Sequence, residues 1–344
     1  MCGKAHFGPN KSEGADPLNI GFDVNIAGRA IGRPDSYYGE KNYGGVNPKA
    51  THAVLGLEKY HGTDTFLTEA LTLEINAAIT EAVKADKPFF AYMAHYAVHA
   101  PFNSDRRFAD HYKESGKSNS AQAYATLIEG MDKSLGDILD KLTELGVAEN
   151  TLVIFLGDNG SDAPLGGAEE YGSSAPLLGK KGAKYEGGMR VPFIVAWAKP
   201  SDSSSMQKAF PITHGIIHDE FATIQDILPT LMDLTGLDVP KDHVLDGASM
   251  RDILAGKKHV HPQTFLMHFP HKHRSSNFTV YRQKNWKVIW NHKAAEGSDK
   301  QYELYDLDKD PYESDNLAAS QPERLAAMIK EMEKALQDAD ALMW

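Results

Sequence analysis

The sequence predicts an α/β fold, a mostly parallel sheet sandwiched by helices, followed by a small C-terminal α+β subdomain. Three observations carry this. Residues 151–158 (TLVIFLGD) and 191–198 (VPFIVAWA), and the run PFFAYMAHY that begins at Pro88, are nearly continuous apolar stretches of strand length. Such runs mark strands buried on both faces. Helical periodicity stands between them, and after about residue 260 the pattern changes to short strands separated by polar turns.

Taken in order, residues 1–62 are rich in Gly, Asn, Pro and Tyr and read as long loops. Residues 66–83 suit a helix. The clearest helix lies at about 119–145, where Tyr124, Leu127, Ile128, Met131, Leu135, Ile138, Leu139, Leu142 and Leu145 keep i, i+3, i+4, i+7 spacing. Gly146 marks its end. A Gly-rich segment of about 30 residues separates the second and third strands, a length at which loops are functional or disordered. The next helix is expected to start with Asp226 as N-cap and Pro229 in its first turn. FTVYRQKNWKVIW and QYELYDL then read as antiparallel strands. A terminal helix follows at about 321–338, with Leu325, Met328, Ile329, Met332 and Leu336 on one face. This divides the chain into an α/β domain, 1–260, and a C-terminal subdomain, 261–344.

Composition narrows the function. With 36 Lys and Arg against 47 Asp and Glu the net charge is −11, which argues against nucleic acid as a general partner. Cys2 is the single cysteine, so no intrachain disulfide and no cysteine zinc site is expected. No apolar run approaches the length of a membrane span. The first residues, MCGKAHFGPNKSEG, lack the apolar core of a signal peptide.

Four segments carry candidate chemistry. In Gly3-Lys4-Ala5-His6-Phe7-Gly8, a Lys and a His two apart would share a face if extended and point at one small anion; the plainer reading is solvated surface. His95-Tyr96-Ala97-Val98-His99-Ala100-Pro101 follows a strand end, where open parallel sheets bind ligands. There a histidine would donate to an anion or exchange a proton, or simply bond a backbone carbonyl of the loop. Asp158-Asn159-Gly160 offers hard oxygen donors suited to calcium or magnesium, and is also a good Asx turn. The segment 179–192 (GKKGAKYEGGMRVP) sets Lys180, Lys181 and Lys184 as point charges before a strand, or makes structural ion pairs through Glu186 and Arg190. Together these point to a hydrolase of an anionic ester, without choosing sulfate over phosphate.

Read jointly, the segments resemble the sulfatase family of the alkaline-phosphatase-like superfamily. GKAHFG is similar to its Gly-Lys-x-His-x-Gly motif, HYAVHAPF to its histidine loop, TLVIFLGDNG to its metal-binding strand end and GKKGAKYEGGMRVPFIV to its lysine loop. YELYDLDKDPYESDNLA resembles the tail with which these proteins close their C-terminal subdomain. The resemblance implies that Lys4 contacts sulfate and the nucleophile, and that His6 hydrogen-bonds the nucleophile. His99 would hold or protonate the bridging oxygen, and Lys181 bind sulfate, with Lys180 an out-of-register rival. Asp158 and Asn159 would ligate Ca2+ or Mg2+, and Glu186 and Arg190 would be structural. The substrate expected is a sulfated small molecule or carbohydrate, to which His268, His271, His273 and Arg274 would contribute contacts. A periplasmic or secreted location follows from the same resemblance.

The family's nucleophile is a formylglycine within Cys/Ser-x-Pro/Ala-x-Arg, and the chain is read as lacking that motif. Cys2 is followed by Gly-Lys-Ala-His, and no Asp-Asp pair precedes the Gly-Lys-x-His segment. The expectation is a chain inactive alone. It would be a fragment from a late start codon or gene break, half of a split enzyme completed by another chain, or a pseudoenzyme that binds sulfated glycans. Phosphoesterase or phosphonate hydrolase activity is the rival within the superfamily. Loss of the nucleophile segment would also leave apolar surface and a sheet edge exposed.

Overall fold

The computed structural model describes all residues except 47–50, 166–172, 258–261, 272–276, 295 and 342–344. It divides into two units, Met1–Thr151 with Ala163–Leu165, and Leu152–Asp162 with Gly166–Trp344. The expected boundary near residue 260 lies outside the described residues.

The first unit comprises β1 (Cys2–Gly3), α1 (Leu67–Lys84), β2 (Met93–Ala94), α2 (Ala109–Tyr112) and α3 (Asn119–Glu144). Its two long helices follow the predicted periodicity. Leu67, Ala70, Leu71, Ile75 and Ile79 bury one side of α1. On α3, Ala123, Tyr124, Leu127 and Gly130 are buried, whereas Ile128 of the expected face stays 48% exposed. The helices meet through Thr72 and Ser134, whose buried hydroxyls lie 2.6 Å apart. Ser118 caps α3 by accepting the Ala121 N–H, and the chain leaves at Gly146 with φ +72°, as a C-terminal glycine should. The N-terminal loops are held by tyrosines: fully buried Tyr37 shares its hydroxyl between the Tyr96 and His99 carbonyls at 2.7 and 2.8 Å.

The run from Pro88 does not form the strand expected. Only Met93–Ala94 pairs, in parallel with Cys2–Gly3, while Phe90 is 66% and Tyr92 43% exposed. Burial on both faces needs neighbours along the whole strand and a helical layer on each side; a two-residue partner supplies neither.

The second unit contains β3 (Leu152–Leu156), α4 (Glu186–Met189), β4 (Phe193–Trp197), α5 (Ser205–Ala209), α6 (Ile227–Thr235) and α7 (Arg251–Leu254). Then come β5 (Thr264–Phe269), β6 (Phe278–Gln283), β7 (Trp286–Asn291), β8 (Tyr302–Asp306) and α8 (Pro322–Asp338). Strands β3 and β4 pair antiparallel, with Leu156 opposite Phe193. The alternation of helix and strand had predicted parallel pairing here. The chain leaves β3 and enters β4 at the same end, and no described helix between them exceeds one turn, so no described element makes the crossover that a parallel pair requires. One face of this ribbon, with Leu152, Phe193, Val195 and Trp197, packs on Phe210, Ile212, Met250 and Leu254. Ile194, on the other face, is 59% exposed.

The helical path to α6 starts earlier than expected. A 3-10 turn spans Ile224–Asp226, and the Asp226 carboxylate accepts the Thr223 N–H at 2.6 Å, making Thr223 the first cap. Pro229 is buried in the first turn and Gly236, at φ +69°, ends the helix. The C-terminal sheet runs β5-β6-β7-β8, all antiparallel. Strand β5, Thr264–Phe269, takes in His268, one of the expected sugar-contact residues. Tyr281, Val288 and Leu304 point to α8, where Met328, Met332 and Leu336 are buried; each such side chain stabilises the unit by about 1.5–3 kcal/mol. The opposite face packs Phe278, Val280, Ile289 and Tyr305 against Tyr185 and Met189 of the lysine loop. No described helix is long and apolar enough to cross a membrane.

Candidate functional site

In the first unit, β1 and β2 run parallel, so the segments leaving their carboxyl ends emerge side by side: Lys4–Gly8 from one, His95–Pro101 from the other. The Lys4 N–H donates to the Ala94 carbonyl at 2.7 Å. Gly3 is required there, because with φ +94° a Cβ would stand 2.0 Å from the Ala94 oxygen. The shared face expected for Lys4 and His6 is not formed by simple alternation, since His6 takes φ +52° and leaves the extended region. Its ring lies against Gly32, where an added Cβ would come within 3.0 Å of it. His99 Nδ1 lies 3.0 Å from the Ala100 carbonyl. A carbonyl only accepts, so this contact is a hydrogen bond when Nδ1 carries the proton. His95 is different: burial pushes its imidazole down to about 4, which keeps it neutral.

In the second unit, the carboxyl end of β3 and the lysine loop form one frame. Gly157 N–H donates to Pro192 O at 3.0 Å, Gly160 N–H to Gly188 O at 3.1 Å, and Lys181 N–H to Ser161 O at 2.9 Å. The Ser174 hydroxyl accepts the Ser161 N–H and donates to the Gly187 carbonyl at 2.6 Å, closing the frame. The backbone of Lys181 is thus tied to Ser161, close in sequence to Asp158 and Asn159. Glycines permit this closeness: a Cβ on Gly160 would lie 1.9 Å from the Gly187 oxygen, and one on Gly188 2.3 Å from the Ala183 oxygen.

The far side of the same loop is clamped to the C-terminal sheet by residues that the sequence reading passed over. Lys184 Nζ reaches Asn291 Oδ1 and Glu303 Oε1, each at 2.5 Å, and the Tyr185 and Tyr305 hydroxyls donate to Glu303 Oε2. Burial pushes the Glu303 carboxyl up, but hydrogen bonds from Lys184, Asn291 and Tyr305 outweigh it and hold the group below the usual range. Lys287, fully buried, lies 3.0 Å from Glu186 Oε1 and 2.7 Å from Glu313 Oε1. Glu313 Oε2 accepts the Glu186 N–H at 2.6 Å. Burial likewise opposes ionisation of Glu186, yet Lys287, Arg282 and Arg190 keep its carboxyl low; for Glu313 burial wins and the carboxyl is raised. The sign of this clamp was present in WKVIW, where Lys287 shares the strand parity of Ile289.

The sugar-contact candidates separate. His268 belongs to the sheet face of α8, opposite to the clamp, and its Nδ1 lies 2.8 Å from Thr279 Oγ1, which in turn meets His292 Nε2 at 2.8 Å. His271 is exposed beside Phe269, and His273 and Arg274 lie outside the described residues. Burial, then His268 and Lys293, push His292 down to about 4. Its neutral form is therefore favoured by folding, and the unfolded chain takes up the proton near 6.5. That stability is present above about pH 6.5 and lost as pH falls towards 4. Thermal scans should show Tm falling between pH 7 and 5, and His292→Asn should flatten that decline; an unchanged slope would exclude the assignment.

One match to Cys/Ser-x-Pro/Ala-x-Arg does occur, correcting the expectation of none: Ser320-Gln321-Pro322-Glu323-Arg324. Local structure explains it. Pro322 is the first residue of α8, Glu323 favours the helix N-terminus, and Arg324 stacks over the Trp286 ring at 4.8 Å. The segment follows the Asp-Pro-Tyr-Glu tail instead of preceding Gly-Lys-x-His. Among the described residues no group of three or more His, Cys, Asp or Glu is arranged to hold a metal.

The family model "Sulfatase" matches residues 1–237, and that of "N-sulphoglucosamine sulphohydrolase, C-terminal" matches 179–341. A sulfatase of Formosa agariphila is 31% identical over 76% of this chain and 47% of its own length. The N-acetylgalactosamine-6-sulfatase of Canis lupus familiaris is 31% identical over 73% of this chain and 40% of its own. The chain thus spans less than half the length of these two relatives. The solved structure of Ps i-CgsB superposes with a TM-score of 0.75 at 22% identity, covering 96% of this chain and 70% of that one.

Proposed function

Because the chain belongs to the sulfatase family, of alkaline-phosphatase-like α/β fold, we propose that it serves in hydrolysing the sulfate ester of a sulfated carbohydrate. We propose further that it does so only together with a segment carrying the nucleophile motif. The observation that carries this reading is the frame of the second unit, in which Lys181 is tied to Ser161 beside Asp158 and Asn159. Lys181, a candidate for binding the anion, and two hard oxygen donors thus stand on segments joined by one set of backbone hydrogen bonds. The names of the N-acetylgalactosamine-6-sulfatase relative and of the C-terminal family model support a sugar substrate.

The roles follow residue by residue. Lys4 and Lys181 bind sulfate oxygens as point charges, and His6 hydrogen-bonds the nucleophile. His99 Nε2 holds or protonates the bridging oxygen, its ring oriented by Nδ1–H on the Ala100 carbonyl. Asp158 and Asn159 supply two donors of the kind calcium takes, against the roughly six to eight it needs. Among the described residues no cluster of His, Cys, Asp or Glu completes that site, and the remaining ligands are assigned to the completing segment. Ile194 of β4 at 59% exposure and Phe90 before β2 at 66% favour such completion over a free-standing glycan-binding role, which would leave these apolar side chains in water.

The test is an assay of the purified 344-residue chain on an aryl sulfate and on N-acetylgalactosamine 6-sulfate, with and without a formylglycine-bearing N-terminal segment. Turnover is expected only with the segment. Robust hydrolysis by the chain alone would overturn the need for it. Far better hydrolysis of phosphate monoesters would overturn the choice of sulfate. Sugar binding that survives both Lys181→Ala and His99→Ala would overturn the residue assignment.

A further inference from the structure

We infer that Glu313, supported by Lys287, is a positioning residue that fixes the lysine loop and thereby sets where Lys181 stands. The inference rests on the sulfate-binding reading of Lys181, and its own evidence lies elsewhere, in the cost of the arrangement.

Glu313 comes from the tail that follows β8, far from the lysine loop in sequence. Its side chain is fully buried, and it reaches 127 residues back to accept the Glu186 N–H at 2.6 Å. That N–H opens α4, the single turn whose glycines support Gly160 and the Asp158–Asn159 end of β3. Lys287 bridges the Glu313 and Glu186 carboxylates at 2.7 and 3.0 Å with no exposed surface of its own. Arg190, 3.1 Å from Glu186 Oε2, and Arg282, 3.7 Å from it, complete the charge balance.

Two costs are accepted here. Glu313 holds φ +56°, a left-handed conformation that Asn or Gly adopts far more easily. Buried ion pairs also add little net stability compared with apolar groups of the same volume. Strain and buried charge persist where the surroundings over-determine them, and such places cluster at functional sites. A carboxylate of this length at this backbone position does one thing that Asn cannot: it spans to the Glu186 N–H while keeping Lys287 in contact with both acids. The loop is consequently held from the sheet side through Lys184, Tyr185 and Glu186, and from the β3 side through Lys181 and Gly188.

The test compares Glu313→Asn, which relieves the backbone but is one methylene short, with Glu313→Gln, which keeps the reach and the acceptor. Two readouts on the full chain are trypsin cleavage after Lys180, Lys181 and Lys184, followed by mass spectrometry, and affinity for inorganic sulfate by calorimetry; Tm is the control. Glu313→Asn is expected to speed cleavage at these three sites about tenfold, beyond any increase that a lower Tm brings at the other tryptic sites, and to weaken sulfate binding about tenfold. Glu313→Gln should restore both. Wild-type cleavage in the Asn variant, or a Gln variant as impaired as the Asn one, would overturn the inference. So would faster cleavage at every tryptic site in proportion to a fall in Tm, because that marks a merely structural role. If Glu313→Asn does not fold, Lys287→Met/Glu313→Leu removes the ion pair with apolar groups and is read in the same way. Lys181→Ala separates the two hypotheses. If it leaves sulfate affinity intact, the sulfate-binding reading fails, while loop cleavage still decides the positioning inference.

Discussion

Lys287→Ala is expected to destabilise the second unit by about 3–5 kcal/mol, as removal of one partner from a buried ion network does. The ammonium lies between Glu186 and Glu313 with no solvent access. Truncation would leave two carboxylates facing each other, with Arg190 and Arg282 reaching only Glu186, and would open a cavity beneath Tyr305, the cross-strand neighbour of Lys287. Urea unfolding of the chain measures the loss. A change under about 1 kcal/mol would mean that the pair is screened like a surface salt bridge, and the clamp would lose its energetic basis. The expectation differs from that for the apolar double substitution, where no charge is left stranded.

Gly160→Ala is the second large effect, and it falls on the site more than on stability. Its Cβ would stand 1.9 Å from the Gly187 oxygen and 2.7 Å from the Gly188 Cα, both backbone atoms without a rotamer to escape by. The end of β3 must then part from α4, breaking Gly160 N–H to Gly188 O and disturbing Lys181 N–H to Ser161 O. Sulfate affinity should fall by about tenfold or more, since charge-assisted contacts tolerate little misplacement. Gly136, in α3, is the control. Nothing lies within 4 Å of its added Cβ, so Gly136→Ala should gain roughly 0.5–1 kcal/mol from helix propensity and leave sulfate binding unchanged. Equal affinity in the two variants would refute the frame as the determinant of Lys181's position.

Local signals carried much of this protein. The apolar stripes of α3 and α8, the stop at Gly146, and the β6–β7–β8 meander were legible because helix periodicity, glycine conformation and strand alternation act over a few residues. The motif segments were legible for a similar reason: Gly-Lys-x-His, Asp-Asn-Gly and the lysine loop each hold their chemistry within a short stretch. Three matters needed the tertiary structure. The direction of the β3–β4 pair depends on where a 36-residue connection ends, not on the apolar runs it joins. Exposure of Phe90, Tyr92 and Ile194 depends on which neighbours cover them, which a run of apolar residues does not state. The clamp unites Glu186, Lys287 and Glu313 across separations of 101 and 127 residues. The sequence by itself determined the long helices, most strands and the residue types able to hold an anion. Only the tertiary structure decided which carboxylates and cations meet, because burial and charge pairing are properties of surroundings assembled from distant parts of the chain.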